Sequence, residues 1–234
     1  MPTLGEEHAN LDQKAYQLIK DMIIGRELLP GDKIPQEKLA RDMGISRTPL
    51  VNALKFLEHE KLVEAKPRRG YFVRLFTIQE MVSIFELREV LEGLAARRAA
   101  THITASQIDR LRTFFSAFST GTPIRDVRAY AREDRAFHNY VVEVSAREFL
   151  KSMLETYNII SFSYQVISSE GLVRSPDKTF IEHMNVINAI SDRDPDEAER
   201  LMRQHFRNSI AELRAQIEKA AEALARPPGN DVAA

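Results

Sequence analysis

QEKLARDMGISRTPLVNALKFL, residues 36–57, is the stretch on which the architecture turns. Ala40 is small where two helices must cross closely, and Gly44 can take the positive φ of a tight turn. Ile45, Leu50, Leu54 and Leu57 recur at the spacing that holds a second helix against the first. Ser46 stands where a helix cap is wanted, and Pro49 lies within the first turn, where a proline is tolerated. Two short helices about a glycine turn predict a helix-turn-helix. Arg47 and Thr48 then sit at the amino end of its second helix, the part that reaches base edges or phosphates of duplex DNA. Lys55 is placed to touch the DNA backbone from farther along.

Outward from this stretch, the spacing predicts an earlier helix at about 9–25, a turn at LPGDK, and short helices at about 36–42 and 47–59. LVEAK and YFVRL then read as two strands joined by PRRG. Three helices followed by a hairpin is the order of a winged helix-turn-helix. Lys66, Arg68 and Arg69 crowd the hairpin tip beside Gly70, a layout suited to a wing in or along a minor groove. Between Leu11 and Phe76 there are 13 Lys and Arg against 9 Asp and Glu, whereas the whole chain carries a net charge of −1, so the positive charge is concentrated where the motif is. The plainer alternative is a protein-interaction module whose basic hairpin tip is a solvated turn.

The segment from Ile19 to Val73 resembles the N-terminal domain of the GntR family of bacterial transcription regulators. The resemblance rests on GRELLPG, on LARDMGISRTP and on the PRRG wing, in that order. It implies DNA binding. Family members commonly continue SRTP with a short apolar residue, then Arg and Glu; here those two positions are Val51 and Asn52. That departure implies either a different operator or more weight on Arg47 and the wing.

Beyond residue 76 glycine and proline thin out, and residues 77–224 are predicted helical, with breaks near Thr101–Thr104, Gly121–Pro123, Gly171–Pro176 and Asp192–Pro195. About six helices result. The expected organisation is therefore mainly α: a loose start over 1–8, a winged helix-turn-helix over 9–76 (three helices and a two-stranded wing), an all-α helical bundle over 77–225, and a loose tail over 226–234.

Inward stripes of three bundle helices carry unexpected polar residues. One stripe runs Val127, Ala131, Asp134, His138, Val141 or Val142, and Ser145; a second runs Phe180, His183, Ile187 and Ile190; a third runs Ala198, Met202, His205, Ser209 and Leu213. A lone histidine on an apolar stripe is ordinarily a hydrogen-bonded core residue. Here one aspartate and three histidines converge, buried polar groups need partners, and one divalent cation satisfies all four. An imidazole-rich set suits Zn, Ni, Co, Fe or Mn better than Ca or Mg.

Arg88 falls on a face shared with Met81, Ile84, Phe85 and Ala95, so it must pair either with Glu92, one turn on, or with an anionic ligand. A cavity holding both a metal with open positions and Arg88 would suit a small carboxylate. Asn158, Ser161 and Gln165 offer further polar contacts or else form a solvated face. LREVLE, DRAFH, EHMNVINAI and AERLMRQHF are similar to the C-terminal ligand-binding domain of the FadR-type subfamily of GntR regulators. That resemblance implies a cation on Asp134, His138, His183 and His205, with Arg88 helping to hold an organic-acid effector. Members often follow the serine at the Ser145 position with Gly and Asn, where this chain has Ala146 and Arg147.

The chain has no cysteine, its start MPTLGEEH lacks the apolar core of a secretory signal, and no run nears the roughly 18 apolar residues of a membrane span. A cytoplasmic protein is expected. A metal held by Asp and three His could also activate water, as in a helical metal-dependent hydrolase. Against that reading, no HExxH is present, and Glu133 and Glu182 each stand about 100° around their helix from a proposed ligand. No phosphate loop or serine elbow is present either. The expectation is a non-enzymatic, ligand-responsive repressor acting as a homodimer on a two-fold-symmetric operator, because one short helix reads only a half-site. A repressor for which the cation itself is the signal is the alternative.

Overall fold

Three helices and a hairpin open the chain in the computed structural model, which describes residues 4–145, 150, 153–154 and 172–225. The described residues divide into two compact units, one ending at Leu75 and the other beginning at Phe76. In the first unit, α1 spans Leu4–Ile24, α2 Gln36–Asp42, α3 Arg47–His59, β1 Val63–Lys66 and β2 Gly70–Val73. α1 starts at Leu4 rather than near residue 9, since no proline interrupts the run. Ile19, Leu50, Leu54 and Leu57 are fully buried where α1 and α3 meet. Each such side chain contributes roughly 1.5–3 kcal/mol by leaving water.

The turn between α2 and α3 depends on Gly44 at φ +64°. Ile45 N donates to Ala40 O at 3.0 Å and Gly44 N to Arg41 O at 3.1 Å, the paired bonds that close a helix with a left-handed residue. Ser46 occupies the cap of α3, but its side chain makes no capping bond. The reason is local: Pro49 stands at the third helical position and has no N–H to donate.

β1 and β2 pair antiparallel, with Val63 opposite Val73 and Lys66 opposite Gly70. The segment read as a turn, LPGDK, does more than turn. Gly31 N donates to Val73 O, Val73 N to Asp32 O and Ile34 N to Tyr71 O, each at 2.9 Å, so residues 31–34 line the second edge of β2. This seats the basic hairpin tip against the start of α2.

In the second unit, α4 spans Ile78–His102, α5 Ala105–Leu111, α6 Val127–Ser145, α7 Pro176–Ser191 and α8 Pro195–Ala225. Capping boxes at Thr77/Glu80 and Thr104/Gln107 start α4 and α5. α4 and α8 run antiparallel, pinned by Glu86–Arg214 at 2.7 Å, Glu89–Arg207 at 2.8 Å and Arg97–Glu199 at 3.3 Å. Gly93 permits their close approach, since a Cβ there would meet Arg203 Cγ at 2.7 Å.

The stretch expected to be helical up to Gly121 stops at Leu111. Thr113 folds back on Arg110 O through both its N–H and its hydroxyl, and Phe115 takes φ +61°. That conformation buries the Phe115 ring and hands its N–H to Glu133, so tertiary packing overrides the local pattern. α6 begins at Val127 because the Asp126 carboxylate accepts from Ala129 N at 2.8 Å. The sixth expected helix, between Ala146 and Gly171, falls largely outside the described residues. No helix among the described residues is long and apolar enough to cross a membrane.

Candidate metal centre and nucleic-acid interface

Three helices deliver three imidazoles to one point. His138 comes from α6, His183 from α7 and His205 from α8; they are 2%, 0% and 6% exposed, and one ring nitrogen of each lies within 4.8 Å of the others. Asp134, one turn before His138, places its Oδ1 3.4 Å from His183 Nε2. These are the four residues singled out by the inward stripes.

The Nδ1 atoms are all engaged on the far side of the rings. His138 Nδ1 meets Glu92 Oε2 at 2.5 Å and His205 Nδ1 meets Glu182 Oε2 at 2.8 Å. His183 Nδ1 lies 3.0 Å from Tyr130 Oη, which is 2.8 Å from Thr179 Oγ1. Thr179 donates to the carbonyls of Ser175 and Pro176, at 3.3 and 3.2 Å. With the Thr179 proton on those carbonyls, its hydroxyl accepts from Tyr130, Tyr130 accepts from His183 Nδ1–H, and the His183 lone pair is left on Nε2. That atom is buried and has no hydrogen-bond partner among the described residues. An orphaned, unprotonated imidazole nitrogen facing two further imidazoles and a carboxylate fits a divalent cation, and the donor set is one that Zn, Ni, Co, Fe or Mn accepts.

The electrostatics keep the central ring uncharged. Burial, with His205, His138 and Arg174 nearby, pushes His183 well below the usual histidine range, so it stays neutral and able to ligate. Burial also lowers His205, with Glu182 opposing. Burial would raise Glu92, but Arg88 and His138 outweigh it and hold the carboxyl down to about 2. Glu182 likewise falls to about 2, burial being overcome by His205, Arg174 and Asn208. Aromatic rings wall the cluster. Phe115 stacks on His183 with centroids 4.9 Å apart, and Phe206 flanks His138 and His205 at 5.6 and 5.2 Å.

Arg88 is 4% exposed, bonds Glu92 Oε1 through Nε at 2.7 Å and stacks over Phe206 at 4.7 Å. The pairing with Glu92 is therefore made. Asn158 lies outside the described residues. The two glutamates weighed as bases are both occupied: Glu133 accepts from Phe115 N, and Glu182 accepts from Arg174, Asn208 and His205.

The first unit presents a separate cleft of about 530 Å³, lined by Lys33, Lys38, Arg41, Arg47, Arg68, Arg69 and Gly70, with Glu37 the one acidic residue on its wall. Arg47 and Thr48 are exposed at the start of α3, and Lys55 is exposed farther along. Lys66 pairs with Glu64 at 2.7 Å and caps the Phe72 ring, so it braces the wing as well as charging it. Gly70 holds φ +94°, and a Cβ there would meet Gln36 Nε2 at 3.0 Å. At the positions departing from the family pattern, Val51 is half-buried and Asn52 donates to Asp12 on α1 at 3.0 Å.

Comparison with known families matches residues 11–73 to the bacterial regulatory proteins of the gntR family and residues 83–208 to the FCD domain. The chain belongs to the FCD-containing GntR regulators. Among curated relatives, the uncharacterized HTH-type transcriptional regulator YdhC of Bacillus subtilis is 24% identical over 88% of this chain and 92% of its own. The HTH-type transcriptional repressor RspR of Escherichia coli is 24% identical over 89% and 91%. Of the solved structures, E. coli McbR/YncC shares the fold with a TM-score of 0.68 at 17% identity, covering 88% of this chain and 98% of that one. This GntR chain is thus a DNA-binding transcription regulator.

Sequence reasoning missed the supports and the rear of the basic cleft. Tyr130 and Thr179 stand four residues before Asp134 and His183, a spacing that puts them on the same helix faces. Lys33, Lys38 and Arg41 carried no signal, because the pairing of residues 31–34 with β2 is what gathers them. Glu92→Leu is expected to cost about 3–5 kcal/mol by stranding the Arg88 charge, with Arg88→Met in the same chain recovering most of it. Chemical denaturation in the presence of a chelator measures both.

Proposed function

We propose that the protein is a repressor that binds a two-fold-symmetric operator as a homodimer in the cytoplasm and senses a small carboxylate through a bound divalent metal and Arg88. The observation that carries this reading is the convergence of three buried imidazoles whose Nδ1 atoms are satisfied, with the His183 Nε2 lone pair left over. Asp134, His138, His183 and His205 would hold the cation. When bound, it supplies a positive charge with open positions for an anionic ligand.

Arg88 commits only its Nε to Glu92, which leaves further N–H donors of a planar fork for a carboxylate. An effector that favours one arrangement of the helices shifts the population of regulator geometries, and thereby operator affinity. Repression is supported by the relative RspR, which bears the name repressor. The engagement of Glu133 and Glu182 elsewhere weighs against hydrolysis. On the DNA side, Arg47 and Thr48 reach the major groove, Arg68, Arg69 and Gly70 the minor groove, and Lys33, Lys38, Arg41, Lys55 and Lys66 phosphates.

Purified protein is expected to carry close to one transition metal per chain by elemental analysis, and the His138→Ala/His205→Ala variant none. A panel of small carboxylates should raise the melting temperature of the metal-loaded parent but not of the chelated parent. Equal metal in parent and variant would remove the site; an operator affinity that changes on adding metal and that no carboxylate alters further would make the cation the signal.

Arg47→Ala should abolish operator binding in a gel-shift titration while the fold persists. Lys33→Ala/Lys38→Ala/Arg41→Ala should weaken binding to operator and random duplex alike, and flatten the log–log salt dependence by about 0.9 for each phosphate no longer neutralised. An unaltered slope would take these three residues out of the interface.

A further inference from the structure

Two of the three imidazoles are backed by the same three-residue arrangement, built from unrelated parts of the chain. On one side Arg88 Nε donates to Glu92 Oε1 at 2.7 Å and Glu92 Oε2 takes His138 Nδ1 at 2.5 Å. On the other, Arg174 donates from both Nη atoms to Glu182 at 2.7 and 2.6 Å, and Glu182 Oε2 takes His205 Nδ1 at 2.8 Å. His183 differs, since its Nδ1 meets the neutral Tyr130 hydroxyl.

We propose that Glu92 and Glu182 are positioning residues that set the affinity of the site for its divalent cation, each held to that task by its arginine. The inference rests on the metal reading above and adds to it which residues tune the site. A carboxylate on Nδ1–H fixes the ring plane and increases the electron density at Nε2, making a stronger donor. The arginines have a distinct effect. Both oxygens of each glutamate are already engaged, so neither carboxylate is free to turn and become a ligand itself. The two arms also differ in rigidity. Glu182 is gripped by two Arg174 donors and by Asn208 at 2.7 Å, whereas Glu92 is held by the single Arg88 Nε.

The test uses full-length protein, with Co(II) and Zn(II) as probes. Zn(II) affinity is measured by competition with a chromophoric chelator, and the visible ligand-field band is recorded for Co(II). Glu92→Gln and Glu182→Gln are each expected to bind Zn(II) about 10–100-fold more weakly and to shift the cobalt band. Glu199→Gln should match the parent, because Glu199 pairs with Arg203 and Arg97 but touches no histidine. Parent affinity, within twofold, and the parent spectrum in both glutamine variants would overturn the proposal.

Should circular dichroism show that the glutamine variants are unfolded, the arginines carry the test. Arg174→Lys cannot supply two parallel donors and should weaken the metal, while Arg88→Lys can supply one and should not. No change in either overturns the proposal. A parent that binds neither metal is a separate outcome: it overturns the metal reading, and this inference with it.

Discussion

Placing three imidazoles inside an apolar helical core is the constraint from which the rest of the second unit follows. A buried polar group left without a partner costs about 1–3 kcal/mol, so each ring must be answered. Glu92, ionised in a dry interior, and the half-buried Glu182 answer two of them and are held in turn by Arg88 and Arg174. Tyr130 and Thr179 answer the third without adding charge. These links tie α4 to α6, α6 to α7 and α7 to α8, and Gly93 lets α4 and α8 approach closely behind them. What the supports leave unanswered is the inner nitrogen of His183, and the proposed function grows from that remainder.

Much of this was readable in the residues wherever the determining contacts are local. The run from Gln36 to Leu57 encodes its own turn and helix faces, and α2 and α3 lie where the spacing put them. Asp134, His138, His183 and His205 were legible because the 3.6-residue period assigns a side chain to a face without knowledge of its neighbours. Glu182 shows where that logic stops. It points about 100° away from His183 on its own helix, which disqualified it as a base, yet that direction brings it to His205 on the next helix. A partner across helices leaves no mark on the periodicity of either one.

The same limit explains the other differences. Phe115 breaks the expected helix because its ring is worth more against His183 than in a regular turn, and nothing within residues 104–121 announces His183. In the first unit, LPGDK has the composition of a turn, but its backbone lies along β2 and carries Lys33 into a cleft with Arg47 and the wing. Asn52 takes on meaning in the same way. Asn52 turns to Asp12 on α1, which accounts for a residue other than the family's usual one at that place without invoking DNA.

As a member of the FCD-containing GntR regulators, the chain carries a DNA-reading unit and a second unit whose centre, on the proposed function, is completed by a divalent cation. The most direct measurement of that claim is the X-ray absorption fine structure at the edge of whichever metal copurifies with the protein. The expected result is a first shell of nitrogen and oxygen with the outer-shell multiple scattering of about three imidazole rings. A shell of oxygen alone, with no imidazole scattering, would contradict it.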